Sequence, residues 1–364
     1  MQRHPDATVA RAAFADDLDV YESITVIGAT GAVGREALQL LAESGVPRHR
    51  VRAVASERSV GSFVDYGTST LRIEPLDADA FREHGLALAC ADSDTARRAR
   101  ALAAGTRCLL VDNSSAFRLD DDVPLVVPEV NADAICAPVH RLVANPNCST
   151  ILLVVAAQPL RLRFGLEEIV VATYQSVSGA GAPAIDELLA ETERALRGEP
   201  PAPVVFRESC AFNVFSHDSP TDPTTGRNQE EQKLIDETRK ILGDPDLVVS
   251  PTCVRVPVVR AHTEAVRLRF ERPASESEVR EALAAAPSIT LVDDRVRGDF
   301  PTPQKAARRN DVLVGRIRRD PCEAPGPDGR SRVWSLLLCG DQLRKGAALN
   351  ALQIAALAAR SGLS

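Results

Sequence analysis

Hydrophobic residues follow two different periods along the first third of the chain. Residues 23–27 form a β-branched run that ends in Gly28, and from Ala32 onward the apolar residues recur at helical spacing. Similar patterns predict three further strands, at residues 51–55, 86–89 and 108–111, and a helix at residues 95–104. Strands that alternate with helices indicate a parallel, doubly wound sheet.

The pattern of the remaining chain indicates a second α/β unit. Predicted helices lie at residues 149–158, 184–196 and 228–241, and predicted strands at 168–174, 266–270, 312–317 and 333–338. Apolar residues alternate with arginines in the strand at 266–270, which is typical of a sheet with one covered face. A last helix, at 343–359, is apolar on much of its circumference, so we expect it to pack back on the first domain.

These patterns divide the chain into two domains, as its length of 364 residues favours. We predict an α/β fold whose N-terminal, doubly wound Rossmann-type domain binds a dinucleotide. This domain spans residues 23–148, and a C-terminal helix at 341–360 returns to it. A second α/β domain follows at 149–340. Residues 1–22 are predicted to form a flexible leader.

Composition excludes several kinds of partner. The chain is 45% hydrophobic and 26% charged with a formal net charge of -7, so it has no general attraction to nucleic acid. No apolar run approaches the roughly 18 residues that span a bilayer, and the leader lacks the apolar core of a signal peptide. The eight cysteines are scattered without a CxxC pair, which argues against a metal site. We therefore predict a cytoplasmic protein with no membrane partner.

A glycine-rich turn joins the first predicted strand to the first predicted helix. Gly28, Gly31 and Gly34 form a G-x-x-G-x-x-G arrangement, which lets the backbone approach a pyrophosphate at the helix N-terminus. Further candidate cofactor contacts in this turn are Thr30, Ala32 and Val33. The turn predicts a dinucleotide cofactor. The alternative explanation of the three glycines is that they allow the helix and strand to pack closely.

The end of the second predicted strand bears on the choice of cofactor. NAD enzymes present a carboxylate to the ribose at this point, whereas NADP enzymes present a cation to the 2′-phosphate. The sequence here is Ser56-Glu57-Arg58-Ser59. Two hydroxyls and a guanidinium suit a phosphate, while Glu57 suits a ribose. We expect NADP, bound by Ser56, Arg58 and Ser59; an exposed turn of mixed charge is the alternative.

One cysteine stands at the start of a predicted apolar helix. Cys148 follows Asn145-Pro146-Asn147, and the helix dipole is expected to lower the pKa of its thiol. Hydride-transfer enzymes that oxidise aldehydes to acyl derivatives use a thiol to form a covalent thiohemiacetal, which makes Cys148 the candidate nucleophile. His262 precedes the alternating strand and could face a cleft as the base for this thiol. A surface histidine at a strand entrance is the alternative.

Several blocks of sequence occur in the order found in one enzyme family. They are GATGAVG at 28–34, VDNSSAFR at 111–118, VPEVN at 127–131, ANPNCST at 144–150, TYQSVSGAG at 173–181, TCVRVPV at 252–258, HTE at 262–264 and DQLRKGAALNALQIA from 341. Through these blocks the chain resembles the aspartate-semialdehyde dehydrogenase family. The resemblance implies an NADP-binding first domain, a catalytic and dimerisation second domain, and a homodimer or homotetramer.

The resemblance also implies a role for each candidate site residue. Cys148 would accept the acyl group, His262 would be the general acid/base, and Gln175 would orient the substrate carbonyl. The implied substrate contacts are Arg255 for the carboxylate, Glu230 for the ammonium group, and Lys233 and Arg118 for the phosphate. Gln342 would offer its amide to the nicotinamide.

The implied reaction is the NADPH-dependent reductive dephosphorylation of 4-phospho-L-aspartate to L-aspartate 4-semialdehyde, through a thioester on Cys148. Its product feeds lysine, threonine and methionine synthesis. One alternative is a related reductase of a modified or N-acylated acyl phosphate, which would bring no ammonium group to Glu230. Another is a non-catalytic paralogue, against which the intact candidate residues argue.

Two positions depart from the pattern of this family. Ala261 stands where relatives usually carry glycine before the histidine. Residues 89–92, Ala-Cys-Ala-Asp, lack the glycines commonly found after the corresponding strand. The second departure puts cofactor contacts at this strand end in question.

Overall fold

The strands of the described residues form two sheets, which confirm the predicted α/β class. The computed structural model describes residues 14–81, 84–136 and 141–363. The strands of the first sheet are, in chain order, β1 (Ser23–Ile27), β2 (Val51–Val54), β3 (Phe63–Tyr66), β4 (Ser69–Glu74), β5 (Gly85–Ala89), β6 (Leu109–Asp112) and β7 (Leu142–Ala144). Their order is β3-β4-β2-β1-β5-β6-β7, and each neighbouring pair is parallel except β3 and β4. The chain moves outward from β1 in both directions, so the sheet is doubly wound.

The second sheet is mixed. Its strands are, in chain order, β8 (Glu168–Gln175), β9 (Phe215–Ser216), β10 (Val248–Arg255), β11 (His262–Ala274), β12 (Ile289–Leu291), β13 (Val312–Arg319) and β14 (Ser331–Gly340), and they lie in the order β12-β13-β14-β11-β8-β10-β9. β8 is parallel to β10 and antiparallel to β11. The carboxyl ends of β8 and β10 therefore meet the amino end of β11, which brings Gln175, Arg255 and His262 to one edge.

Helices cover both sheets. They are, in chain order, α1 (Ala32–Glu43), α2 (Ser93–Ala103), α3 (Pro128–Asn131), α4 (Cys148–Phe164), α5 (Ala182–Leu196), α6 (Gln229–Leu242), α7 (Glu276–Ala284), α8 (Pro303–Ala306) and α9 (Leu349–Arg360). Residues 151–157 of α4 are apolar on all sides because they join one core with buried residues of both sheets. Within the described part of the chain, no helix combines the length and the apolar character needed to cross a membrane.

Several elements differ from the sequence-based prediction. The strands β3, β4, β7, β9, β10 and β12 were not predicted. β10 contains Pro251, and proline argues against a strand in sequence reasoning. The predicted end of a helix at residue 158 is wrong, because α4 continues through Pro159 to Phe164. The last predicted helix is not α-helical throughout, since the π-helical turn Arg344–Ala348 leads directly into α9.

The prediction of a flexible leader is wrong for residues 14–22. A 3-10 helix forms at Asp16–Val20, and the side chains of Leu18 and Tyr21 are fully buried. The hydroxyl of Tyr21 donates a hydrogen bond to the backbone oxygen of Ala355 in α9 at 2.8 Å. α9 packs on the first sheet and exposes little of its surface. Residues 14–22 therefore cover the side of α9 that faces away from this sheet. The remaining leader residues, 1–13, lie outside the described residues.

A buried lysine anchors the π-helical turn to the first domain. Lys345 is fully buried, and its Nζ donates to the two carboxylate oxygens of Glu129 at 2.8 and 2.7 Å. The side-chain oxygens of Asn350 and Gln353 accept from the same Nζ at 2.9 and 2.8 Å. Burial lowers the pKa of Lys345, and the Glu129 carboxylate opposes this effect. The ion pair is thus largely removed from solvent, and each of its charges depends on the other.

We expect Lys345→Ala to lower the free energy of unfolding by about 3–5 kcal/mol, because it leaves the Glu129 carboxylate buried without its cation. Lys305→Ala is the matched control. Lys305 pairs with Asp299, but their side chains are 42% and 53% exposed, so its loss should cost less than about 1 kcal/mol. Chemical denaturation followed by circular dichroism measures both variants. An equal loss of unfolding free energy in both variants would contradict a special role for Lys345.

Candidate active site

The candidate nucleophile is half-buried at the amino end of α4. Cys148 comes shortly after the carboxyl end of β7, the edge at which doubly wound sheets bind ligands. The Oδ1 of Asn147 caps α4 by accepting from the backbone N–H groups of Ser149 at 2.9 Å and Thr150 at 3.3 Å. A Cβ added at Gly346, in the π-helical turn, would lie 2.9 Å from the Cβ of Cys148. The close approach of this turn to the nucleophile therefore requires glycine.

The second sheet brings His262 to the thiol. His262 is the first residue of β11 and is fully buried, and its Nε2 lies 3.4 Å from the Sγ of Cys148. Its Nδ1 accepts a hydrogen bond from the backbone N–H of Ser176 at 3.0 Å. Burial, together with the nearby Arg255 guanidinium, lowers the pKa of His262 to about 3. The imidazole is therefore neutral, and the alternative of a surface histidine is wrong.

The surroundings of the thiol overturn one expectation. Burial raises the pKa of Cys148 to about 12, and the Glu230 carboxylate raises it too, against the opposing effect of Arg118 and Arg255. The predicted lowering of this pKa by the helix dipole is wrong for the free protein, because the dipole does not replace the water that a thiolate has lost. Cys148 is a neutral thiol at pH 7 and has to lose its proton during any reaction in which its sulfur attacks.

Glu230 is the buried negative charge of the site. Its Oε1 accepts from the Nδ2 of Asn147 at 2.7 Å and from the Nε2 of Gln175 at 3.3 Å, and its Oε2 accepts from the Nζ of Lys233 at 3.3 Å. Burial alone would raise the pKa of Glu230, but Lys233, His217 and the two amides together lower it to about 2. The carboxylate is charged at every pH at which the protein would work, so it can complement a cation.

Arg118 is joined to the nucleophile through a second glutamate of α6. Its guanidinium donates to two backbone oxygens at 3.0 and 2.7 Å and to the Oε1 of Glu237 at 3.0 Å. The Oε2 of Glu237 accepts from the backbone N–H of Asn147 at 2.6 Å. Sequence reasoning missed Glu237; its spacing of seven residues from Glu230 on one helix is the signal that could have found it.

Arg255 is oriented by a carboxylate that sequence reasoning also missed. Its Nε donates to the Oδ1 of Asp218 at 2.9 Å, and its Nη1 donates to the backbone oxygen of Ser176 at 3.3 Å. The guanidinium carbon lies 5.5 Å from the centre of the Phe206 ring. None of the described residues is hydrogen-bonded to Nη2, so this nitrogen keeps its two N–H groups for a ligand.

A cavity of about 320 Å³ gathers these groups around the thiol. The predicted residues that line it are Arg118, Cys148, Gln175, Glu230, Lys233 and Arg255, with Val33 and Gln342 from the predicted cofactor set. The lining residues that were not predicted include Asn113, Ser115, Asn145, Asn147, Gly179 and His217. Three cations and one carboxylate around a thiol suit a small zwitterion that carries further negative charge. Across residues 14–81, 84–136 and 141–363, no cluster of His, Cys, Asp or Glu is arranged to hold a metal ion.

A second cavity, of about 450 Å³, lies at the glycine turn. The predicted cofactor residues that line it are Gly28, Thr30, Gly31 and Ser56. Gly28 has a φ of +81°, and a Cβ there would lie 2.4 Å from the backbone oxygen of Cys90. Gly34 has a packing role instead, because a Cβ at Gly34 would lie 2.2 Å from the backbone oxygen of Gly28. Arg58 and Ser59 lie in the adjoining 3-10 helix Glu57–Ser59 and are not among the lining residues.

The first turn of α1 separates the two cavities. Ala32 begins this helix, Gly31 lines the cavity at the glycine turn, and Val33 lines the cavity at the thiol. The backbone N–H groups at this helix start suit a pyrophosphate. A dinucleotide bound there would therefore reach from one cavity into the other, and its far end would approach Cys148.

Gln342 has its amide engaged within the protein. Its Oε1 accepts from the backbone N–H of Ala261 at 2.8 Å, and its Nε2 is hydrogen-bonded to the Oγ of Ser178. Ala261, one of the two departures from the family pattern, has a φ of +75°, which favours glycine. Gln342 thus holds the strained residue before His262, and its contact to a nicotinamide stays a prediction.

Two family models match the chain. One, described as Semialdehyde dehydrogenase, NAD binding domain, matches residues 23–137, and the other, described as Semialdehyde dehydrogenase, dimerisation domain, matches residues 157–345. An aspartate-semialdehyde dehydrogenase from Synechocystis sp. is 44% identical over 342 residues, which cover 93% of this chain and 98% of the relative. One from Bacillus subtilis is 37% identical over 344 residues, covering 91% and 96%.

Solved structures match over the same length. The crystal structure of aspartate semialdehyde dehydrogenase II from Vibrio cholerae has a TM-score of 0.85 and 38% identity, covering 93% of this chain and 99% of that chain. A crystal structure of aspartate semialdehyde dehydrogenase II from Vibrio cholerae complexed with ASA has the same TM-score of 0.85, with coverage of 93% and 98%. A probable aspartate-semialdehyde dehydrogenase from Pseudomonas aeruginosa has a TM-score of 0.82 and 28% identity, with coverage of 93% and 98%.

The raised pKa of Cys148 predicts how its alkylation depends on pH. We expect the rate with iodoacetamide to rise about tenfold per pH unit from pH 7 to pH 9, because a thiol with a pKa of about 12 stays mostly protonated throughout this range. Peptide mass spectrometry after timed quenching measures the rate, with the exposed Cys322 in the same digest as the control for the reagent. A rate that levels off below pH 8 would show a low thiol pKa and contradict the prediction.

Proposed function

The chain belongs to the aspartate-semialdehyde dehydrogenase family, and we propose that it catalyses the NADPH-dependent reductive dephosphorylation of 4-phospho-L-aspartate to L-aspartate 4-semialdehyde. The observation that carries the proposal is the Sγ of Cys148, 3.4 Å from the Nε2 of His262, in a cavity that adjoins the glycine turn across the first turn of α1. Its product would feed lysine, threonine and methionine synthesis.

The first half of the reaction depends on the thiol of Cys148 and on the groups that bind the phosphate. The Sγ of Cys148 attacks the acyl carbon, so that a thioester forms and phosphate leaves. Arg118 and Lys233 are assigned to the phosphate because both line the cavity and both keep N–H groups for an anion. The Nε2 of Gln175, which the Glu230 carboxylate holds, is assigned to the substrate carbonyl oxygen.

Reduction of the thioester completes the reaction. NADPH supplies the hydride when it is bound at the glycine turn. The carbonyl oxygen gains negative charge as the thioester carbon is reduced, and the thiohemiacetal then releases the aldehyde and the sulfur. His262 is assigned as the general acid/base because its Nε2 is within reach of that sulfur.

Two charged groups support an aspartyl substrate. Arg255 is assigned to the carboxylate because Asp218 orients its guanidinium and leaves Nη2 for a ligand. Glu230 is assigned to the ammonium group, since its pKa of about 2 keeps it charged. An N-acylated substrate would bring an uncharged amide to this carboxylate, so the structure favours a free amine over that alternative.

NADP is the proposed cofactor. The backbone at Gly28 and Gly31 leaves room for a pyrophosphate at the start of α1, which supports a dinucleotide of either kind. Ser56 lines this cavity and Arg58 lies two residues further along the same turn. Glu57 also lines the cavity. The proposal is that Arg58 turns toward the 2′-phosphate when the cofactor binds, since a guanidinium complements that group.

The proposed active unit is a homodimer or homotetramer that forms through the second domain. The dimerisation-domain model spans this sheet. On the sheet face opposite Gln175 and Arg255, Tyr174 is 39% exposed and Val248 is 50% exposed. These exposed apolar side chains would be buried if a second copy covered this face of the sheet.

A steady-state assay with phosphate, NADP and aspartate semialdehyde tests the function. We expect turnover with the free-amine aldehyde and little with its N-acetyl analogue. Cys148→Ala should abolish turnover, because no acyl group can form on alanine, and should leave NADP affinity nearly intact. Substantial turnover by this variant would refute the thioester. A preference of the wild-type enzyme for the N-acetyl analogue would favour the alternative substrate.

Arg58→Ala tests the choice of cofactor. The Kd for NADP should rise about tenfold to a hundredfold, because a charge-assisted contact to the 2′-phosphate is lost, while the Kd for NAD should change little. Fluorescence titration of both cofactors measures this. The control is Arg97→Ala, whose side chain is 58% exposed, pairs with Asp94 and is not among the residues that line the cavity. An equal loss of affinity for NADP and for NAD would mean that Arg58 does not contact the 2′-phosphate.

A further inference from the structure

A cluster of ion pairs joins the two domains beside the segment that leads to His262. Arg260 lies two residues before His262, between β10 and β11. Its Nε donates to the Oδ2 of Asp341 at 2.6 Å, and its Nη2 donates to the Oε2 of Glu36 at 2.7 Å. Glu36 belongs to α1 of the first domain. Arg260 therefore ties the segment before the general acid/base to a helix of the other domain.

The Glu36 carboxylate holds a second guanidinium as well. Its Oε1 lies 2.9 Å from the Nε of Arg344 in the π-helical turn. Asp341 and Glu43 each pair with one of the two arginines, whereas Glu36 pairs with both. The side chains of Glu36 and the two arginines are at most 19% exposed. Without the carboxylate between them, two guanidinium groups largely removed from water would repel each other, so Glu36 keeps both in place.

The segment from Arg260 to His262 has little freedom to absorb a displacement. Ala261 lies between them with a φ of +75°, in a region that is small for any residue with a side chain. Its backbone N–H donates to the Oε1 of Gln342 at 2.8 Å, and the residue is fully buried. A movement of the Arg260 backbone would therefore pass directly to His262.

We propose that Glu36 is a positioning residue for the general acid/base: through its ion pair with Arg260 it fixes His262 against the thiol of Cys148. The inference rests on the proposed function and adds to it a residue that lines neither cavity. The Nε2 of His262 lies 3.4 Å from the Sγ of Cys148. Proton exchange between two such atoms depends steeply on their separation, so a small displacement of His262 is enough to slow the reaction.

The place of Glu36 on α1 links the acid/base to the cofactor site. Gly31, at the start of this helix, lines the cavity at the glycine turn, and Val33 lines the cavity at the thiol. Glu36 follows Val33 by three residues, about one helical turn. One short stretch of helix therefore borders the site where a pyrophosphate fits and also holds the segment before His262. This arrangement fixes the acid/base relative to the cofactor site.

Glu36→Gln tests the positioning role, because it keeps the shape of the side chain and removes its charge. We expect kcat for the phosphate-dependent oxidation of aspartate semialdehyde to fall about tenfold to a hundredfold. The KM for the aldehyde should change little, since Arg255 and Glu230 are untouched. Circular dichroism establishes that the variant is folded at the assay temperature. A folded Glu36→Gln enzyme with the kcat of the wild type overturns the proposal.

Glu43→Gln is the matched control, because Glu43 lies on the same helix and pairs with Arg344 but not with Arg260. Its kcat should change less than about twofold. An equal fall of kcat in Glu36→Gln and Glu43→Gln would show a general effect of α1 and overturn the proposal.

Arg260→Gln removes the same contact from the other domain and provides a second test if Glu36→Gln does not fold. It should lower kcat and leave the KM for the aldehyde nearly unchanged. The double variant Glu36→Gln/Arg260→Gln should lose much less than the product of the two single losses, because either substitution breaks the same ion pair. Single losses that multiply, or an Arg260→Gln enzyme with unchanged kcat, overturn the proposal.

Crystal structures of the wild type and of Glu36→Gln or Arg260→Gln measure the position of His262 without a substrate. The distance from the Nε2 of His262 to the Sγ of Cys148 should lengthen beyond hydrogen-bond reach in the variant. A distance that remains at the wild-type value overturns the proposal whatever the kinetics show. A wild-type enzyme that fails with aspartate semialdehyde would lose its assigned function, while this comparison would still decide whether Glu36 positions His262.

Discussion

The contacts of Asn147 hold the active site together, because three of its polar groups bind three different partners. Its Oδ1 caps α4, its Nδ2 donates to Glu230, and its backbone N–H donates to Glu237. Both glutamates lie on one face of α6, so this helix is fixed across the start of α4. The residue after Asn147 is Cys148. The position of the thiol relative to the substrate-binding carboxylate is therefore set by one short segment of chain.

Burial gives this site its chemical character. The thiol of Cys148 and the imidazole of His262 are both neutral because ionisation would cost each of them its hydration. Glu230 remains charged in the same surroundings because it is bound by a lysine and two amides. The protein thus places groups accurately and leaves ionisation of the nucleophile to the moment when substrate arrives. Such preorganised donors and charges stabilise a transition state without reorganising.

The fold class could be predicted from the sequence, since a glycine turn and a helix start leave local signals. The charged residues that line the cavity around Cys148 were implied by the resemblance to one family. The sequence could not reveal burial, which depends on distant elements: the pKa of Cys148 was predicted with the wrong sign because Gly346 and its turn enclose the thiol from the other end of the chain. Asp218 was missed for the same reason, as its partner Arg255 lies in a different element, whereas Glu237 left a local signal in its spacing from Glu230. Ala261 was noticed as a departure, but only the structure gives its φ of +75°.

The central claim is that the acyl group of the substrate passes through Cys148. Mass spectrometry of the intact protein, quenched in acid after mixing with aspartate semialdehyde and NADP in the absence of phosphate, tests it most directly. The account predicts a mass increase of one aspartyl group, located by peptide mapping on Cys148 and lost when phosphate is added before the quench. Phosphate-dependent turnover at full rate with no adduct at any time, or an adduct on another cysteine, would contradict it.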